Sequence, residues 1–126
     1  MGGEQRLVPA ADGTRIFAEC HGGDRRALTA VVCLPGLTRN GRDFEPVVER
    51  YAASRPVLPI DFRGRGRSDN AADPLTYRPD VELADTLAVL DAFGFFRVAV
   101  LGTSRGGLVG MLMAASVPER VSGLCL

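Results

Sequence analysis

Four short, unbroken apolar runs, Ala30 to Leu34, Val57 to Ile60, Val98 to Leu101 and Val121 to Leu126, constrain this chain more than any other feature. A strand with one wet face alternates polar and apolar residues; a run that is apolar throughout must be covered on both faces, as in a parallel sheet beneath helices. The segments between the runs have helical period. Phe44, Val47, Val48 and Tyr51 fall at i, i+3, i+4 and i+7, with Asp43 as the expected N-cap and Pro46 admissible in a first turn whose N–H groups are unpaired. A second helix is expected over about Pro79 to Phe93, striped by Leu83, Leu87 and Leu90 and stopped by Gly94. A third, Arg105 to Ser116, carries Leu108, Met111, Leu112 and Ala115 and ends before Pro118. Ahead of the first run, Leu7 and Val8, the turn pair Asp12-Gly13 and the alternating stretch Thr14 to Cys20 read as a β-hairpin closed by Gly22 and Gly23. The expected fold class is α/β: an antiparallel hairpin leading into a mostly parallel, doubly wound sheet, in one domain.

Composition narrows the partners. With 46% hydrophobic and 24% charged residues, the 126-residue chain is neither disordered, collagen-like nor a coiled coil. Fifteen Arg balance nine Asp and six Glu, and no Lys occurs, so the net charge is zero and there is no broad basic field for nucleic acid. The Arg-rich stretch Arg63 to Arg67 has Asp61 and Asp69 as neighbours and no interleaved aromatics, which also speaks against nucleic acid. Cys20, Cys33 and Cys125 are an odd count without CxxC spacing, and His21 is the single imidazole, so no disulfide framework, zinc site or other metal centre is expected and a reducing compartment fits. Met1 to Ala10 lacks the apolar core of a signal peptide, Arg6 stands where myristoylation at Gly2 would want Ser or Thr, and no apolar run approaches ~18 residues. The expectation is a cytoplasmic protein, off the membrane.

The run Gly102-Thr103-Ser104-Arg105-Gly106 spells GxSxG between an expected strand and an expected helix. That spelling has a mechanical reason: a Ser on a sharp strand-to-helix turn projects its hydroxyl into a cleft, and Gly102 and Gly106 leave the room the turn needs, with Gly107 adding space beside the helix. A nucleophile attacking a carbonyl also needs donors for the developing oxyanion. The N–H of Arg105 is one candidate; the N–H of Leu37, in the turn Leu34-Pro35-Gly36-Leu37, is the other. A dinucleotide site is the competing reading of so many glycines, but the first strand-to-helix turn, Gly36 to Gly41, lacks the GxGxxG that such a site wants.

With the stretch Asp61-Phe62-Arg63-Gly64-Arg65-Gly66-Arg67-Ser68 between them, these two turns resemble the N-terminal half of the α/β-hydrolase superfamily, in the order hairpin, oxyanion turn, D-x-R-G-x-G-x-S loop, elbow. The resemblance implies Ser104 as nucleophile, Leu37 and Arg105 as backbone oxyanion donors, no cofactor, and a small-molecule ester, thioester or related acyl substrate cleaved through an acyl-enzyme. Ser in place of Asp at the elbow sets it apart from the dehalogenase and epoxide hydrolase branches. Pro35-Gly36 replaces the His-Gly common in the family, a change that keeps a backbone donor.

The general base and acid of a triad follow the nucleophile in this family, and none is identifiable here: Glu119 is the sole carboxylate among the 22 residues after Ser104, which contain no His. His21 lies in the hairpin, and Asp61 reads as a carboxylate capping loop N–H groups. Residues 1–126 are therefore expected to be a hydrolase domain truncated after its sixth strand, whose open sheet edge at Val121 to Leu126 invites self-association. The alternative is a catalytically inactive, vestigial fragment.

Overall fold

The computed structural model describes residues 3–126; Met1 and Gly2, and with them the myristoylation reading at Gly2, lie outside the described residues. Strands β1 (Glu4–Pro9) and β2 (Arg15–Cys20) form the antiparallel hairpin, with Leu7 opposite Phe17 and Val8 opposite Ile16. Its turn closes where Gly13 takes φ 87°, a left-handed conformation that a side chain would strain, and where the Asp12 carboxylate accepts the Thr14 N–H at 3.1 Å.

Strands β3 (Val31–Leu34), β4 (Val57–Pro59), β5 (Val98–Gly102) and β6 (Val121–Cys125) make a parallel sheet in the order β4-β3-β5-β6. The hairpin joins it along β4: His21 and Val57 exchange backbone hydrogen bonds of 2.9 and 2.8 Å, and the Asp61 N–H donates to the Phe17 carbonyl at 3.0 Å.

Three α-helices connect the strands: α1 (Glu45–Tyr51), α2 (Pro79–Phe93) and α3 (Arg105–Ser116). Alternation along the strands explains their placement. Val32, Leu34, Leu58, Ile60, Val98 and Val100 share one core with Leu83, Val89 and Leu90 of α2 and Val109 and Met113 of α3. Cys33 and Val57 belong to a smaller cluster with Phe44, Val47 and Val48 beside α1. Both faces are thus covered over β3, β4 and β5, as their unbroken apolar runs require, whereas the fourth run departs from that expectation: β6 is exposed from Ser122 to Cys125, because it is the outer strand of the sheet. Helix α2 ends at Gly94, whose φ of 79° supplies the left-handed stop.

Two expectations need correction. Asp43 does not cap the first helix: the chain enters it through a short 3₁₀ turn, Gly41–Phe44, whose Arg42 N–H is accepted by the Asn40 side chain, while Asp43 pairs with Arg39 at 2.8 Å. In α3, Leu108 and Met111 are exposed, and the buried face is Gly106, Gly107, Val109, Gly110 and Met113. Glycine carries no hydrophobic signal, yet it is what lets a helix backbone approach a sheet closely. A Cβ on Gly110 would meet Val100 at 3.1 Å and Leu124 at 2.9 Å, so the small residues set the inner face and the larger apolar ones are left outside.

Candidate active site

The register that sets Leu34 opposite Gly102 brings the ends of β3 and β5 together, and the Thr103 N–H donates to the Leu34 carbonyl at 3.1 Å. The two turns singled out in the sequence therefore open at the same end of the sheet. Between β5 and α3, Ser104 takes φ 52° and ψ −112°; among the described residues it is the only non-glycine with positive φ. Such a backbone persists only where its surroundings enforce it.

The glycines supply the enforcement. A Cβ on Gly102 would lie 2.5 Å from the Gly106 carbonyl oxygen, and one on Gly106 would lie 1.9 Å from the Leu34 carbonyl oxygen. Gly102 is thus demanded by the turn itself and Gly106 by the neighbouring strand. A Cβ on Gly107 would face Leu126 at 3.3 Å, a looser fit. Ser104 is exposed, and its Oγ has no hydrogen-bond partner among the described residues.

Facing the elbow is the loop after β3. A Cβ on Gly36 would stand 3.8 Å from that of Ser104, which is ordinary contact, so Gly36 keeps the cleft open rather than permitting a special backbone. The N–H groups of Leu37 and Arg105 have no acceptor among the described residues. Leu37 itself is 50% exposed, and what holds its loop comes from the stretch after β4. Asp61, buried, accepts the Gly41 N–H at 2.6 Å and the Arg67 N–H at 3.0 Å, and the Arg65 Nε–H donates to the Leu37 carbonyl at 2.6 Å. Gly66 is at φ 51°, and a Cβ there would fall 2.2 Å from the Asp61 carboxylate, so the position admits no side chain.

The other arginines of that stretch are also engaged. Arg63 is 2% exposed and forms a fork on Asp85 of α2 at 2.7 and 2.8 Å, with further bonds to Asp12 at 2.9 Å and to the Thr76 hydroxyl at 2.9 Å. The guanidinium holds the Asp12 carboxyl well below the usual carboxylate range. Arg67 stacks on the Phe17 ring at 5.0 Å. At the start of α3, the Arg105 Nε–H donates at 2.7 Å to Glu82, whose carboxyl burial pushes upward against the pull of that cation.

Arg65 and the Glu82–Arg105 pair were not read from the sequence. The one available signal was on α2, where Glu82 and Asp85 fall on the same side as Leu83, Thr86, Val89 and Leu90: acids on an apolar stripe call for buried partners.

Neither His21 nor Glu119 lies at the elbow's end of the sheet. His21 is bonded to Val57, which begins β4, and its Nε2 lies 3.1 Å from a Glu19 carboxylate oxygen. Glu119 sits in the 3₁₀ turn just before β6. In a parallel sheet the starts of β4 and β6 lie at the end opposite the elbow that follows β5. No group of three His, Cys, Asp or Glu suited to a metal ion occurs among the described residues. No helix among them is long and apolar enough to cross a membrane.

Comparison with known proteins places this geometry. The sequence model of the alpha/beta hydrolase fold family matches residues 29–126. The chain is 34% identical to the 3-hydroxybutyrate-oligomer hydrolase of Cupriavidus necator over 126 residues, all of this chain and 42% of that protein. It is 34% identical to epoxide hydrolase 4 of Mus musculus over 99 residues, 79% of this chain and 28% of that protein. The crystal structure of an alpha/beta hydrolase from Novosphingobium aromaticivorans superposes with a TM-score of 0.89 at 44% identity, covering 97% of this chain and 42% of that one. The chain spans less than half the length of these relatives. It belongs to the alpha/beta hydrolase fold family, of which it has the hairpin, the parallel sheet and the serine-bearing elbow.

Proposed function

We propose that the protein is a serine-nucleophile hydrolase of an ester, thioester or related acyl bond. The observation that carries this reading is the backbone of Ser104, at φ 52° and ψ −112° on the turn between β5 and α3, with an exposed hydroxyl that has no partner among the described residues. In the proposed reaction Ser104 Oγ bonds to the carbonyl carbon as its proton passes to a general base, and the base returns that proton to the alcohol or thiol as the bond to it breaks. Water then cleaves the acyl-enzyme to a carboxylic acid. The N–H groups of Leu37 and Arg105 are the proposed oxyanion donors, and the start of α3 adds its positive dipole end. Ser at the elbow favours this chemistry over epoxide opening, although an epoxide hydrolase is among the relatives.

No His follows Ser104 within these 126 residues, and the Ser104 hydroxyl has no hydrogen-bond partner among the described residues, so on their own they are proposed to be inactive. Nucleic acid is not a proposed partner, because Arg63, Arg65 and Arg67 are each engaged within the fold. The proposed location is the cytoplasm, a reading that rests on three cysteines without a disulfide partner in the fold.

The test uses the native protein, with whatever sequence adjoins these residues in the cell. Turnover of a p-nitrophenyl ester should fall by at least about 10³-fold in Ser104→Ala, while the isolated 126-residue chain should match its own Ser104→Ala variant. Equal turnover by the native protein and its Ser104→Ala variant would overturn the reading.

A further inference from the structure

We propose that Arg65 is a positioning residue for the oxyanion hole, acting through the Leu37 peptide; this rests on the reading of Leu37 as an oxyanion donor. Leu37, Thr38 and Arg39 are exposed, so packing does little to orient them. Backbone bonding contributes one tie within the turn, the Arg39 N–H on the Gly36 carbonyl at 3.0 Å. The Leu37 carbonyl is instead held from outside, by the Arg65 Nε–H at 2.6 Å. The Arg39 N–H on the Gly36 carbonyl holds the peptide that carries the Leu37 N–H, and Arg65 holds the next one, Leu37–Thr38; a charged donor makes the stronger bond, and fixing the second peptide limits the rotation about the Leu37 Cα that both peptides share.

The direction of Arg65 is itself determined. It stands between Gly64 at φ 76° and Gly66 at φ 51°. A Cβ on Gly64 would meet the Tyr77 ring at 2.6 Å, and one on Gly66 would meet the Asp61 carboxylate at 2.2 Å. Two turned glycines pinned by fixed neighbours leave Arg65 facing the Leu37 loop, and its Nη1 adds a bond to the Gly64 carbonyl at 3.3 Å. The same loop end is anchored further along by Asp61 on the Gly41 N–H at 2.6 Å. The residues after β4 therefore grip the oxyanion loop at two points, Leu37 and Gly41. Asp61 fixes where the loop goes, and Arg65 fixes the Leu37–Thr38 peptide, against which the peptide carrying the Leu37 N–H is set.

An interaction made through a positioned backbone donor acts on the transition state more than on the bound substrate, so the expected signature is in kcat. In the native protein, Arg65→Ala should lower kcat for a p-nitrophenyl ester by about tenfold, part of the loss seen when an oxyanion donor is removed, with KM within about twofold. Arg65→Lys, which can still donate one bond, should recover part of the loss, and guanidinium chloride at low millimolar concentration should partly rescue Arg65→Ala. The Tm of both variants should stay within about 2 °C of the parent, since the bond is at the surface. A kcat for Arg65→Ala within twofold of the parent overturns the proposal while leaving Ser104 in place. A loss confined to KM, or one shared equally by Arg65→Lys without rescue by guanidinium, also overturns it. If Ser104→Ala turns over as fast as the parent, the reading of the site fails, and the role of Arg65 fails with it.

Discussion

The two edges of the sheet are built on opposite principles. At the hairpin edge, charged groups cross-link segments distant in sequence: Arg63 joins the hairpin turn at Asp12 to α2 at Asp85, Arg15 holds Asp69 at 2.8 Å, and the Ser68 hydroxyl accepts the Phe17 N–H at 2.8 Å. At the β6 edge, Leu108, Met111, Leu124 and Leu126 are 46, 47, 38 and 64% exposed, and neither β6 nor α3 beyond Arg105 carries a charge. The difference separates two tasks. The polar edge gives the loops around Ser104 one geometry, because each bond there has a single satisfactory arrangement. The apolar edge offers area without direction, and area of that kind is stable only when covered.

The largest effect is expected between the edges, where the elbow meets the sheet. Gly106→Val would drive a side chain into the Leu34 carbonyl, 1.9 Å from its Cβ. With domain stability of only ~5 to 15 kcal/mol, the variant should lose its cooperative thermal transition by circular dichroism. A Tm equal to the parent's would mean that α3 does not rest on β3 as described.

Next comes the polar edge. Asp85→Ala would take the fork from the Arg63 guanidinium, 2% exposed and unable to shed its proton, leaving it Asp12 and the Thr76 hydroxyl, and should cost about 2 to 3 kcal/mol in urea unfolding. Arg63→Met should cost less, because Asp85 can take up a proton. The same network sets an acid limb. Asp12, held below its ordinary 3.8 by Arg63, contributes stability that is present above that value and lost as pH falls through its lowered folded value. Asp12→Asn should accordingly flatten the loss of stability at low pH; an unchanged limb would remove Asp12 from the account.

The apolar edge should show in association rather than in folding energy. We propose that the isolated chain self-associates through β6, whose outer backbone groups have no strand beside them among the described residues. Leu124→Lys should shift its elution in size-exclusion chromatography toward monomer. A sharp monomer peak for the parent would mean that this surface tolerates water.

Much of this architecture was legible in the sequence, for a physical reason. Runs such as Val98 to Leu101 and stops such as Gly94 act locally, so the ends of α2 and α3 could be placed to within a residue or two. The inner face of α3 was not legible, since Gly106 and Gly110 bury backbone and carry no apolar side chain to count. The ties around the candidate site were hidden by distance along the chain: Arg65 reaches Leu37 across 28 residues, Arg63 reaches Asp12 across 51, and Arg105 reaches Glu82 across 23. The elbow could be recognised because its glycines and serine are adjacent; the arginines that support it became meaningful only once the fold had brought their partners alongside.

If the strained serine of the elbow is the nucleophile, it can be trapped covalently. The native protein is treated with a fluorophosphonate, digested with trypsin and mapped by mass spectrometry. One adduct is expected, on the peptide Val98 to Arg105 and at Ser104 within it, absent from the Ser104→Ala variant. An adduct on another residue, or equal labelling of both proteins, would contradict it.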